Sequence, residues 1–87
     1  MPDTVSSLSI ADSRTFSISE LAREFGITPR ALRFYEDKDM LHPARDGMTR
    51  VYSHRDRGRV KIIVRLKRLG LPLADIREIL DLDGLED

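Results

Sequence analysis

The sequence predicts a mainly α fold, with four helices and a short β-hairpin between the second and the third. Three observations predict it. Apolar residues recur at helical spacing in four stretches, separated at Gly26, at Met40-Leu41 with Pro43 beyond, and at Gly70-Leu71-Pro72. A short Gly-containing link, Gly26 to Thr28, joins the first two stretches at the length expected of a helix-turn-helix. Asp46-Gly47 sits between two short extended pieces, a strong hairpin-turn signal. Together these describe a winged helix-turn-helix over residues 15–82. A polar, Ser-rich leader at 1–14 precedes it and is expected to be disordered.

Each element has its own signals. Ser17 and Glu20 have capping-box spacing, and Ile18, Leu21, Ala22 and Phe25 then share one helix face. Gly26 stops this helix. Thr28 suits the next N-cap and Pro29 the first helical position, where a missing N–H costs nothing. That helix is expected to run to about Asp39. In the hairpin, Val51 is expected to point inward, with Arg50 and Tyr52 pointing away. Ser53 and Asp56 form a second capping pair, opening a helix from about His54 to Leu69. Val60, Ile62, Ile63, Val64, Leu66 and Leu69 cover more than half its circumference, so it should be the buried central helix. Leu73, Ile76, Ile79 and Leu80 line one face of a fourth helix, followed by an acidic stub.

Size and composition narrow the function. With 87 residues the chain makes one small domain, and 40% hydrophobic residues suffice for a core. There is no cysteine, which excludes disulfides and thiolate metal sites within this chain and fits a reducing cytoplasm. The N-terminus lacks the basic start and apolar run of a signal peptide, and no stretch has the length of a membrane span. The net charge of zero conceals a segregated field. Residues 28–68 carry twelve Lys/Arg against five Asp/Glu, while both flanks are acidic. Such a field steers polyanions.

The chemistry-bearing residues point to nucleic acid rather than catalysis. On the second helix Ala31, Leu32 and Tyr35 face the first helix, whereas Arg30, Arg33, Phe34 and Asp37 cluster on the other side. Arg can donate two hydrogen bonds to guanine, and an apolar ring can meet a thymine methyl. Burial of Phe34 in the core is the competing reading. Thr28 and the N–H groups beside it suit a phosphate. Arg45, Arg50 and Tyr52 of the wing can reach the flanking backbone, although the arginines can equally be solvated and the Tyr52 ring buried. Arg57, Lys61, Arg65 and Arg68 form a basic stripe on the third helix, with Arg55 near its start. Some of these are expected to touch phosphate. His42 and His54 have no partner at metal-ligand spacing, no Gly-rich phosphate loop occurs, and nothing gathers a catalytic triad. The chain is therefore expected to be no enzyme and to need no cofactor or metal.

At this point a resemblance becomes specific. The runs ISELAREFGITPRALRFYEDKDML, RVYSHRD and LKRLGLPLADIREIL, in that order and spacing, resemble the DNA-binding domain of the MerR family of bacterial transcription regulators. The likeness covers about Phe16 to Leu82. Together with the reading of the residues it gives an expected DNA-binding set of Thr28, Arg30, Arg33, Phe34, Tyr35, Arg45, Arg50, Tyr52, Arg55, Lys61, Arg65 and Arg68. Arg33-Phe34-Tyr35 stands where the family usually has Arg-Tyr-Tyr, and Arg50 and Tyr52 match its wing Arg-x-Tyr. The resemblance further implies binding to double-stranded, pseudo-palindromic promoters and an indirect action on RNA polymerase through DNA distortion. It also implies a homodimer formed through a long helix, of which residues 83–87 would be the start or the linker. Small phage excisionases and terminase subunits share the winged arrangement, so an architectural DNA-bending role is a second reading. A protein-interaction module that uses the basic face on an acidic partner is a third.

Overall fold

A computed structural model of the chain describes residues 14–84, with side chains through Leu82. The expected leader lies almost wholly outside the described residues, as does the chain beyond Gly84. Helices α1 (Ile18–Phe25) and α2 (Pro29–Asp37) are followed by strands β1 (Ala44–Asp46) and β2 (Thr49–Val51), then by helices α3 (His54–Arg68) and α4 (Leu73–Gly84). Helix α1 packs against α2 and α3, and α3 against α4.

The local signals operate as chemistry. Ser17 Oγ accepts from the Glu20 N–H at 3.0 Å while Glu20 Oε1 accepts from the Ser17 N–H at 2.8 Å. Gly26 takes φ 65°, and the Ile27 N–H turns back to the Ala22 carbonyl, closing α1. Thr28 Oγ1 accepts from the Ala31 N–H at 3.0 Å, opening α2. Ser53 and Asp56 form the reciprocal pair that starts α3.

Helix α2 stops at Asp37, two residues short of the expected end. Asp39 adopts φ 64°. Its N–H bonds to the Glu36 carbonyl and the Met40 N–H to the Tyr35 carbonyl, the same ending that glycine provides elsewhere. A short polar side chain makes this left-handed turn tolerable.

The hairpin pairs Ala44 with Val51, Arg45 with Arg50 and Asp46 with Thr49. Its two-residue turn is Gly47-Met48, with glycine first at φ 64°. The inward phase of β2 is opposite to expectation. Tyr52 is fully buried and Arg50 reaches α2, while Val51 is only half-buried. The reason lies outside the hairpin. Phe16 and Tyr52 form an antiparallel bridge, which draws the base of the wing into the core.

Leu21, Leu32, Met40, Leu41, Val60, Ile63, Ile76 and Leu80 fill that core together with Phe16, Tyr35 and Tyr52. Leu69 does not join it and is 72% exposed, because the helix ends there and the chain turns at Gly70 (φ 91°). Ile79 sits at the edge of the α4 apolar face, also partly exposed. Among the described residues two charged side chains, Asp56 and Arg59, are buried. Arg59 Nε donates to the Met40 carbonyl at 2.9 Å, and Asp56 Oδ1 accepts from the His42 N–H at 3.3 Å. They tie the loop between α2 and the wing to α3 and satisfy backbone groups that burial would otherwise strand.

Candidate nucleic-acid interface

Arg30, Arg33, Phe34 and Asp37 of α2 share a shallow surface depression with Arg50 of β2. The amphipathic spacing of α2 explains the arrangement. Leu32 and Tyr35 turn inward and are buried, which leaves the residues beside them on the outer face. Phe34 is 44% exposed. Its ring meets Tyr35 edge-on at 5.9 Å, and the Lys38 ammonium lies 5.5 Å from its centroid. Phe34 is therefore a surface ring held in place, not a core residue. Arg30 and Arg33 are exposed and have no ion-pair partner among the described residues. Both guanidiniums keep all their donors for a ligand.

The wing arginines are differently placed. Arg50 Nε donates to Glu36 Oε1 at 2.6 Å and Arg45 Nη2 to Glu36 Oε2 at 3.0 Å. One carboxylate on α2 thus bridges both strands. The Glu36 hydrogen bond raises the Arg50 pKa further above its ordinary value, so the guanidinium stays charged.

The remaining basic residues form separate groups. Lys61, Arg65 and Arg68 flank an apolar hollow made by Phe25, Val64 and Leu69. Arg68 Nη2 also donates to the Phe25 carbonyl at 3.3 Å, bracing the end of α1 beside the turn that leads to Thr28. Arg55 is exposed in a cleft with His42, Ser53, Asp56, Arg59, Leu80 and Asp81, on the side of α4. Thr28 is exposed, and its hydroxyl oxygen is occupied by the cap while its proton remains available to donate. Arg57 leaves the basic stripe. It makes two hydrogen bonds to Glu24 of α1, through Nε and Nη2, and holds the Glu24 carboxyl below the usual carboxylate range.

Two expected contact residues are corrected. Tyr35 and Tyr52 are 5% and 0% exposed, and burial pushes both phenols upward. They are core residues that support the surface rather than form it. Glu36 and Lys38 are additions. The hairpin register could have revealed Glu36, since it sets Arg45 opposite Arg50 and leaves two facing cations in need of an anion. Among the described residues no group of His, Asp and Glu is arranged to hold a metal ion, and no helix is long and apolar enough to cross a membrane.

Known proteins share this fold. The family described as MerR HTH family regulatory protein matches residues 16–83. The transcriptional regulator ZntR of Escherichia coli K12 is 38% identical over 69 residues, covering 77% of this chain and 49% of its own length. CueR of Bacillus subtilis is 36% identical over 73 residues, covering 83% of this chain and 51% of its own. The chain spans about half the length of the curated relatives it matches. Among solved structures, HiNmlR, a MerR family regulator lacking the sensor domain and bound to promoter DNA, superposes with TM-score 0.73 at 26% identity, over 85% of this chain and 58% of that one. A MerR family regulator from Bacillus cereus gives TM-score 0.70 at 32% identity, over 77% and 52%.

Proposed function

The chain belongs to the MerR helix-turn-helix family of regulatory proteins, and from that premise we propose that it reads a DNA half-site with α2 and regulates transcription from a bacterial promoter. Arg30, Arg33 and Phe34 enter the major groove. Arginine reads guanine by paired hydrogen bonds, and the phenyl ring packs on a thymine methyl or a sugar. Thr28 and the first N–H groups of α2 meet a phosphate at the groove edge. Arg45 and Arg50 grip the flanking backbone. Lys61, Arg65 and Arg68, with Arg55 on another side, add contacts that position the domain but carry no sequence information.

The observation that carries this reading is the bare cluster of Arg30, Arg33 and Phe34 beside Arg50. Folding does not require an exposed aromatic ring between unpaired guanidiniums, and a ligand with stacked edges and phosphates uses all of them. The protein acts as a dimer on a pseudo-palindromic promoter, deforms the DNA between the half-sites, and so acts indirectly on RNA polymerase. It is not an enzyme and works in the cytoplasm.

Selection of bound sequences from a random duplex library tests this function. A recovered half-site, single or in mirrored pairs, supports it. A pool with no enriched sequence, with binding lost equally from all duplexes at moderate salt, overturns it.

A further inference from the structure

We propose that Glu36 is a specificity-determining residue: its carboxylate fixes the two wing arginines in one shared orientation and prevents them from gripping phosphate indiscriminately. The proposal rests on the reading of this domain as a duplex binder and names the residue that regulates its selectivity.

The hairpin register places Arg45 directly opposite Arg50. Two like charges facing each other across an antiparallel pair repel. Glu36 removes the repulsion by offering one carboxylate oxygen to each, at 3.0 and 2.6 Å. The three side chains are 46%, 24% and 21% exposed for Arg45, Arg50 and Glu36, so the triad is partly shielded from solvent screening. Arginine has five donors, and each of these uses one on Glu36. The rest stay available in directions that α2 sets. Glu36 lies one turn beyond Arg33 on the same helix, so the wing donors and the reading side chains share a single rigid frame.

The carboxylate also acts at a distance. It lowers the summed charge of the two wing arginines from two to one, which weakens attraction to any phosphate that arrives out of register. Backbone affinity that ignores sequence works against discrimination, because random sites vastly outnumber specific ones. Glu36 thereby exchanges a share of general affinity for orientation.

The test uses this chain and two duplexes of equal length, one recovered by selection with the unaltered protein and one with the same bases shuffled. Glu36→Gln keeps the shape and removes the charge. It should bind the shuffled duplex several-fold more tightly, with a salt dependence steeper by about one ion. Its preference for the selected duplex should fall about tenfold. Glu36→Asp keeps the charge but shortens the reach, so preference should fall without any gain on the shuffled duplex. A merely structural role would weaken both duplexes together and leave the salt dependence unchanged. That result, or no change with either variant, overturns the proposal. Should Glu36→Gln fail to fold, Arg45→Gln provides the second arm. It leaves Glu36 to Arg50 alone, so it should weaken both duplexes while preference changes by less than about twofold; a larger loss of preference overturns the proposal. If the unaltered chain prefers neither duplex, the underlying reading fails first, and this role with it.

Discussion

Phe16 and Tyr52 exchange both of their backbone hydrogen bonds, at 2.8 and 2.9 Å, so the residues just before α1 add a further rung beyond the three pairs of the hairpin. The rung anchors the base of the hairpin in the core and draws the Tyr52 ring fully out of solvent. The Phe16 ring is in turn covered by the Arg14 guanidinium at 4.6 Å and met edge-on by His54 at 5.8 Å. The wing is therefore not a free flap, and its arginines are presented from a fixed base.

Replacing Tyr52 with Phe should leave duplex affinity unchanged and raise stability by up to about 1 kcal/mol, because the buried hydroxyl has no hydrogen-bond partner among the described residues. Thermal unfolding and a duplex titration measure the two effects separately. A clear loss of affinity would restore Tyr52 to the contact set.

The glycines separate by backbone. Gly70 has φ 91° with open space around its α-carbon. Gly70→Ala should thus cost about 1–2 kcal/mol from backbone strain alone. Gly58 lies inside α3 at an ordinary helical φ, also with open space. Gly58→Ala should stabilise by about 0.5–1 kcal/mol. Chemical denaturation of the two variants should move the midpoint in opposite directions.

Much of this was legible in the sequence. Ser17, Thr28 and Ser53 fix three helix starts through contacts no more than three residues away, and Gly26 and Gly70 fix two ends in the same local way. The exposure of Arg30, Arg33 and Phe34 follows from the position of Leu32 and Tyr35 on the helix wheel. What escaped depends on distant partners. The phase of β2 is set by Phe16, thirty-six residues away from Tyr52 in the chain. The left-handed turn at Asp39 that follows α2 uses a residue far less diagnostic of such turns than glycine, so the sequence signal is weak. Arg57 looked like part of a basic stripe because its partner, Glu24, lies on another helix.

The Glu24–Arg57 pair predicts a pH dependence. Arg57 holds the Glu24 carboxyl below its ordinary range, so the folded state binds this proton less readily than the unfolded chain. The stabilisation is complete above the unfolded pKa and is lost as pH falls through the lowered folded value. Since both partners are about one-third exposed, the effect is modest, about 0.5 kcal/mol. Glu24→Gln should lower the melting temperature at neutral pH and match the unaltered protein in acid. An equal deficit at both pH values would contradict the assignment.

The most direct measurement compares Arg33→Ala with Lys61→Ala on selected and shuffled duplexes across a salt series. Arg33→Ala should cost about 1–3 kcal/mol on the selected duplex and much less on the shuffled one. Lys61→Ala should weaken both alike and reduce the salt slope by about one. If Arg33→Ala leaves the ratio of selected to shuffled binding unchanged, α2 is not the reading helix, and the bare cluster on its outer face has some other purpose.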